Sequence, residues 1–242
     1  MPTAIDILAF SPHPDDAELY CSGTLLACKR TGRRIAIVDL TRGELSTRGT
    51  AATRARETAA ATRVLGLDAR MNLGIPDGAI ENTPANRLKV TRALRALRPA
   101  TVLLPYPVDR HPDHVNASAL VREALFQSGL AKVRTRDEGR PQAAFRPVKS
   151  FYYMLAHDFT PQFVIDISEE FDTKLEAVRC YETQFHTGAA STGPQTYVST
   201  PDFMESLVAR SRRLGFLAGV RYAEGFEALH MLAPSVDALF GT

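Results

Sequence analysis

The chain carries the stretch Ile5-Asp6-Ile7-Leu8-Ala9-Phe10-Ser11-Pro12-His13-Pro14-Asp15-Asp16-Ala17-Glu18 near its amino terminus. Residues 5–10 form a short apolar run typical of a buried strand, and residues 17–30 have the apolar spacing of a helix. A dinucleotide-binding protein would place glycines in the turn between them, so that backbone amides could approach a pyrophosphate. This turn instead holds an imidazole and carboxylates, which repel phosphate and suit a divalent cation.

Outward from this stretch, apolar runs alternate with helical patterns. Strands are predicted at residues 34–40, 70–73, 101–104, 150–155, 163–167 and 228–232. Helices are predicted at residues 53–65, 86–97, 113–126, 168–181 (capped by Ser168) and 202–214, with surface loops at 132–149 and 186–200. This alternation predicts an α/β fold, Rossmann-like, with a mostly parallel sheet and helices on both faces. No boundary divides residues 1–242, so we expect a single domain.

The composition excludes several function classes. The formal net charge of the 242 residues is +2, which gives no case for nucleic-acid or membrane binding. No apolar run approaches the roughly 20 residues of a membrane span, and the amino-terminal residues lack the pattern of a signal peptide. Three cysteines, Cys21, Cys28 and Cys180, lack metal-type spacing, and we expect Cys21 and Cys28 to face the core. We therefore expect a soluble cytoplasmic protein.

A second turn rich in histidine and aspartate follows the fourth strand. It reads Pro105-Tyr106-Pro107-Val108-Asp109-Arg110-His111-Pro112-Asp113-His114. In the common strand order 3-2-1-4-5, strands one and four are neighbours and their carboxyl ends flank the ligand crevice. The two turns would then converge on one spot.

Converging turns of this composition predict a metal site. His13, Asp16 and either His111 or His114 would supply three ligands and leave a position for water, as in zinc hydrolases. The second histidine would be free to handle charge or protons, and Asp113 could orient an imidazole. The simpler alternative for one aspartate here is a helix cap. His157, His186 and His230 have no partner motif, and we expect them to be structural or exposed.

The two turns together resemble the signature of the PIG-L/LmbE-like zinc N-deacetylases. The resemblance extends through most of the chain, to residues 40–45, Gly49-Thr50 leading to Arg54, Pro76-Asp77, Asp109-Arg110, residues 163–167 and residues 222–226. The last three sets are similar to the bacillithiol-biosynthesis branch, whose members deacetylate N-acetylglucosaminyl malate.

The resemblance implies a role for each residue of the two turns. His13, Asp16 and His114 match the ligands of one Zn2+ per chain. Asp15 matches the general base, His111 the residue that stabilises the oxyanion, and Asp113 the partner of that histidine. The resemblance also implies a small-molecule N-acetyl sugar as substrate and a homo-oligomer, trimer or hexamer.

Several polar residues near the predicted crevice are candidates for binding the sugar conjugate. Arg54 matches a substrate-contacting arginine of the family, and Arg110 could bind a carboxylate of the malate. Glu44 could bind sugar hydroxyls, Tyr197 could cover the pocket, and Arg56 is expected to be solvated.

Three alternatives stay open or are disfavoured. A general N-acetylglucosamine or chitooligosaccharide deacetylase would share the same motifs. A non-catalytic sugar- or metal-binding module would tolerate the loss of Asp15 or His111, and both are present. A zinc peptidase usually carries HExxH, which is absent.

Overall fold

The computed structural model describes residues 4–185 and 193–233. Within them the strands are β1 (Ile7–Ser11), β2 (Ile35–Asp39), β3 (Ala69–Asn72), β4 (Thr101–Pro105), β5 (Arg136–Asp137), β6 (Arg140–Pro141), β7 (Lys149–Tyr153), β8 (Phe163–Asp166) and β9 (Ala223–Ala228). The helices are α1 (Asp16–Tyr20), α2 (Ser22–Arg30), α3 (Ala51–Leu65), α4 (Pro84–Leu97), α5 (Pro112–Ser128), α6 (Phe171–Arg179) and α7 (Pro201–Ala218), with a 3-10 turn at Tyr197–Ser199.

The main sheet has the strand order β3-β2-β1-β4-β7-β9-β8. The pairings from β3 through β7 are parallel, and β9 pairs antiparallel with both β7 and β8. The predicted mostly parallel α/β sheet is therefore confirmed. Because β7 is the fifth long strand along the chain, the order 3-2-1-4-5 also holds, and β1 lies beside β4.

Alternate residues of β1 pack against helices on opposite faces of the sheet. Leu8 and Phe10 join a buried cluster that includes residues of α4 and α5. Ile7 and Ala9 join a second cluster that includes residues of α2, α3 and α6. Both faces are thus covered, which explains why the strand reads as continuously apolar. Within the described residues, no helix combines the length and apolarity needed to cross a bilayer.

The helix predicted over residues 17–30 is two helices, divided at Cys21, whose φ of −144° is not helical. The carboxylate of Glu224 accepts hydrogen bonds from the backbone N–H groups of Gly23 (3.0 Å) and Thr24 (2.7 Å) at the start of α2. Lys174 Nζ donates to the same carboxylate at 2.5 Å and balances its charge. A carboxylate that is distant in sequence therefore accepts hydrogen bonds from the N–H groups of the first turn of α2, which have no partner within the helix.

Other elements differ from their predicted bounds. The last strand lies at Ala223–Ala228 and not at 228–232, because Phe226 pairs with both Tyr153 and Phe163. Ser168 does not cap α6, which begins at Phe171; its hydroxyl donates to Asp166 Oδ1 at 2.5 Å.

The two segments predicted as loops also carry local structure. Residues 132–149 contain the hairpin of β5 and β6, and residues 197–199 form the 3-10 turn. Residues 186–192, including His186, lie outside the described part of the chain. Cys21 is buried, Cys28 packs against the same cluster, and all three cysteines are free.

The side chain of Arg70, which is 9% exposed, forms ion pairs with residues of two other elements. Arg70 on β3 donates from Nη1 to Glu18 Oε1 (2.6 Å) and from Nε and Nη2 to the two oxygens of Asp39 (2.8 and 2.9 Å). Tyr181 also donates its hydroxyl to Glu18 Oε1 at 2.8 Å. Because Glu18 and Asp39 are almost fully buried, their charges depend on this guanidinium.

Replacing Arg70 by methionine should destabilise the protein strongly. Removing one partner of a buried ion pair leaves uncompensated charge, which costs about 3–5 kcal/mol. Urea unfolding of Arg70→Met should show a loss of this size in the free energy of unfolding. Arg63→Met, an exposed position on α3, is the matched control and should change it little. Equal stability of the two variants would contradict the role given to Arg70.

Candidate active site

The turn between β1 and α1 is held in shape by its own hydrogen bonds. Ser11 Oγ donates to the carbonyl oxygen of His13 (2.5 Å) and accepts from the N–H of Ala17 (3.1 Å). The N–H of His13 donates to Asp16 Oδ2 at 2.9 Å. Asp15 has a φ of 134°, in a region that favours glycine. The turn therefore presents His13, Asp15 and Asp16 in one fixed arrangement.

Three ligand atoms of the predicted metal site lie together. Asp16 Oδ2 is 3.2 Å from His13 Nδ1 and 3.3 Å from His114 Nε2. Two ligands about 2.0–2.1 Å from a tetrahedral zinc are themselves about 3.3 Å apart. The separations thus match a shared zinc ion, and the donor set of two imidazoles and one carboxylate is a usual one for catalytic zinc.

The charge of Asp16 is stabilised within this group. Burial would raise the pKa of its carboxyl, but the positive charges and hydrogen bonds of His114 and His13 hold it well below its ordinary range. Asp16 is therefore ionised, as a metal ligand must be.

Three further carboxylates lie behind the two histidines. His114 Nδ1 donates to Asp109 Oδ1 at 2.9 Å. His13 Nε2 lies 3.1 Å from Asp77 Oδ1 and 3.3 Å from Asp113 Oδ2. Carboxylates on the far ring nitrogen fix the tautomer and orientation of metal-ligating histidines.

These carboxylates also favour protonation of the imidazoles when no metal is bound. Burial alone would lower the pKa of His114, but the charge of Asp16 and the hydrogen bonds to Asp109 and Asp16 raise it to about 9. Since zinc requires neutral imidazole, metal uptake at neutral pH must displace a proton.

Asp15 lies beside the metal group, and its carboxylate is not one of the clustered ligand atoms. Its Oδ2 accepts from Arg54 Nη1 at 2.9 Å. Burial raises the pKa of Asp15 to about 7, although the positive charge of Arg54 opposes the shift. A carboxyl that titrates near neutrality can both accept and return a proton at working pH.

His111 lies at the start of α5, with its ring centroid 4.9 Å from that of His13 and 4.8 Å from that of His114. Its Nδ1 accepts the backbone N–H of Asp113 at 3.2 Å, which leaves Nε2 as the nitrogen that carries hydrogen. Burial and then the positive charges of His114 and His13 lower its pKa. The ring is therefore available as a donor toward the cleft that it lines.

The carboxylate of Asp113 has different partners from the one predicted. It lies against His13 Nε2 and accepts the backbone N–H groups of Gly78 (2.8 Å) and Ile80 (3.4 Å). It contacts His111 through its backbone, because its side chain points from the first turn of α5 toward residues 78–80. Asp113 thus orients a predicted metal ligand and joins it to the loop before α4.

The predicted substrate residues fall into two groups. Arg54, Arg110 and Tyr197 line an open cleft of about 490 Å³ together with the metal group. Glu44 is exposed and is not among the lining residues; it accepts the backbone N–H groups of Arg42 (3.2 Å) and Asp77 (3.0 Å) and so joins two loops.

The two arginines of the cleft differ in exposure and in the number of hydrogen bonds that hold their side chains. Arg54 is 4% exposed and donates to Pro14 O, Asp15 Oδ2 and Ser46 Oγ. Arg110 is exposed at the rim, with its guanidinium 4.2 Å from the ring centroid of Tyr197. Arg110 is therefore the one able to reach an incoming ligand.

Sequence reasoning gave no role to two carboxylates of the site, Asp77 and Asp109. Both lie in motifs that mark the family resemblance, and Asp109 precedes His111 by two residues, which was the available signal. The other described histidines, His157 and His230, are exposed and lie outside the cleft lining.

Comparison with known proteins identifies relatives of this chain. Residues 8–125 match the family model PIG-L, described as GlcNAc-PI de-N-acetylase. The diacetylchitobiose deacetylase of Thermococcus kodakarensis is 30% identical over 191 residues, covering 74% of this chain and 70% of that protein. The probable N-acetyl-alpha-D-glucosaminyl L-malate deacetylase 2 of Bacillus anthracis is 31% identical over 195 residues, covering 75% and 82%.

The fold has solved counterparts as well. The crystal structure of the conserved protein TT1542 from Thermus thermophilus superposes with a TM-score of 0.84 at 40% identity, covering 96% of this chain and 98% of that one. Identity at this level over most of each chain shows descent as well as fold. The chain therefore belongs to the PIG-L family of N-deacetylases.

Proposed function

We propose that this protein is a zinc-dependent deacetylase that hydrolyses the acetamide of an N-acetylglucosamine conjugate, with one zinc ion per chain. The observation that carries the proposal is the spacing of His13 Nδ1, Asp16 Oδ2 and His114 Nε2, with the Asp15 carboxyl beside them. Zinc dependence is typical of the family, and its members are amide hydrolases. When bound, zinc polarises a carbonyl oxygen and lowers the pKa of a coordinated water molecule to about 7.

Asp15 serves as the proton carrier of the reaction. As a carboxylate it takes a proton from the attacking water, and as a carboxylic acid it delivers a proton to the departing amine nitrogen. Burial raises the pKa of the Asp15 carboxyl to about 7 in the metal-free protein, which favours its role as acid, and a bound dication would lower that pKa and favour the carboxylate that acts as base. Arg54 holds this carboxyl in place at 2.9 Å and limits how far burial raises its pKa.

His111 stabilises the oxyanion that develops on the acetyl carbonyl oxygen. Its Nε2 hydrogen is free because Nδ1 already accepts the N–H of Asp113. A donor fixed in this way requires little reorganisation as charge develops. Asp113 and Asp109 act through the ligands, orienting His13 and His114.

We propose N-acetylglucosaminyl malate as the substrate. The malate dicarboxylate needs a cation at the rim of an otherwise carboxylate-rich cleft, and Arg110 is exposed there beside Tyr197. The Bacillus anthracis relative carries this substrate in its name, and the Thermococcus relative is named for diacetylchitobiose. A chitooligosaccharide deacetylase is thus the second candidate.

The ligand assignment predicts which histidines bind metal. Purified protein should contain about one zinc per chain, and His13→Ala or His114→Ala should lose it, because two ligands remain of three. His230→Ala, an exposed histidine, is the control and should retain the ion. Metal analysis by plasma mass spectrometry measures the outcome. Full zinc content in either ligand variant would refute the assignment.

Substitutions of the two adjacent aspartates should have different effects on zinc content and activity. Asp15→Asn should keep the zinc while acetate release falls roughly 100-fold or more, as expected on removal of a general base. Asp16→Asn should instead lose zinc, because an amide is a poor replacement for a carboxylate ligand. Metal content and kcat measured on both variants decide between these roles. Equal zinc loss in the two variants would mean that Asp15 is also a ligand.

The substrate proposal predicts a preference that depends on Arg110. kcat/KM should be higher for N-acetylglucosaminyl malate than for diacetylchitobiose. Arg110→Gln should reduce it about tenfold for the malate conjugate alone, since a charge-assisted contact is lost. Arg56→Gln, an exposed position on α3, is the control. A wild-type preference for diacetylchitobiose would assign the protein to the second candidate and leave the zinc mechanism intact.

A further inference from the structure

Positive charge is concentrated on one part of a nearly neutral chain. Residues 84–98 and 129–149 together contain eleven lysine and arginine residues against two acidic ones, whereas the whole chain has a formal net charge of +2. The first of these segments is α4 with Arg98, and the second joins α5 to β7 and includes the hairpin of β5 and β6. The remainder of the chain is therefore net acidic, and this region requires its own explanation.

Between α4 and the hairpin lies a cavity of about 700 Å³. Arg92, Arg134 and Arg136 line it, together with one acidic residue, Glu138. Among the described residues, the ion pair formed in this region joins Arg87 and Glu123, and none involves the three lining arginines. The three arginines are solvent-exposed at this cavity, where their positive charges would attract an anion.

A buried polar group also lines the cavity. Thr135 is 6% exposed, and its hydroxyl oxygen accepts a hydrogen bond from Arg95 Nη1 at 2.9 Å. Arg95 is 4% exposed and otherwise donates to the carbonyl oxygens of Ser128, Leu130 and Val133. Because a cation donates to the Thr135 oxygen, the hydroxyl hydrogen is polarised and becomes a stronger donor to an acceptor in the cavity.

The remaining lining limits the kind of ligand. Leu88, Val133 and Pro141 supply an apolar wall, against which the organic part of a small ligand, such as a single nucleobase, could lie. The volume falls in the range of small-molecule sites, and guanidinium groups match phosphate oxygens in pairs. We propose that this cavity binds a small phosphorylated organic molecule, whose phosphate contacts Arg92, Arg134 and Arg136 and whose apolar part lies on the Leu88 wall.

This site is separate from the catalytic cleft. The two cavities share no lining residue. The cavity is formed by the segment that leads into the start of β7, at the amino edge of the parallel strands, whereas the zinc ligands follow their carboxyl ends. The proposal therefore stands whether or not the substrate proposed above is correct.

Calorimetric titration of the zinc-loaded protein with AMP tests the proposal, with adenosine as the ligand that lacks phosphate. We expect saturable binding of one AMP per chain and no saturable binding of adenosine. The double variant Arg92→Gln/Arg134→Gln should weaken AMP binding about tenfold or more, because charge-assisted contacts are lost. The double variant Arg56→Gln/Arg63→Gln changes net charge equally at exposed positions of α3 and should bind as the wild type does.

Four outcomes would overturn the proposal. One is the absence of saturable AMP binding to the wild type, and another is equal affinity for adenosine. AMP binding that is retained in Arg92→Gln/Arg134→Gln but lost in His114→Ala would show that the phosphate binds at the zinc site. Tighter binding of a single-stranded oligonucleotide than of AMP, through the same arginines, would make the region a surface for nucleic acid.

Discussion

The parallel pairing of β1 with β4 is the constraint on which the site depends. Their register, with Ala9 opposite Leu103, aligns the carboxyl ends of two strands whose crossovers run in opposite directions. The turns after these strands must then meet, so Asp16 Oδ2 lies 3.2 Å from His13 Nδ1 in its own turn and 3.3 Å from His114 Nε2, about 100 residues away in sequence. The buried clusters on both sheet faces fix this register, because a shift of one residue would exchange Leu8 and Phe10 with Ile7 and Ala9 between two differently packed clusters.

Carboxylates outnumber the positively charged groups where the turns after β1 and β4 meet. Five carboxylates, Asp15, Asp16, Asp77, Asp109 and Asp113, surround three imidazoles and one buried guanidinium. Such a group suits a dication, and it accounts for the high proton affinity of His13 and His114 in the metal-free protein. The same carboxylates disfavour an anionic ligand, and the exposed Arg110 at the rim would offset this repulsion.

The sequence predicts those features that follow from local pattern and strand order. The α/β alternation, the position of β1 beside β4 and the convergence of the two turns all follow in this way. The direction in which a side chain points does not follow from local pattern or strand order. Proximity in sequence indicates that Asp113 could orient an imidazole, and the family resemblance pairs it with His111, whereas in the fold its carboxylate lies against His13. Glu224 caps a helix start 200 residues away, which no local pattern reveals. Arg54 lines the cleft, and its substrate contact stays a prediction; its hydrogen bond to Asp15 is a further role that the sequence does not reveal.

The backbone of Asp15 has a consequence for the evolution of this chain. Its φ of 134° is one that residues with a side chain rarely adopt, at a cost of order 1–3 kcal/mol. Glycine at this position would release that free energy, and it would also remove the carboxyl proposed to carry the proton. Selection for stability alone would thus favour glycine at this position, against selection for the proposed proton transfer, which would favour aspartate. Descendants of this chain that have lost hydrolysis and become more stable should therefore show glycine at position 15 as an early substitution.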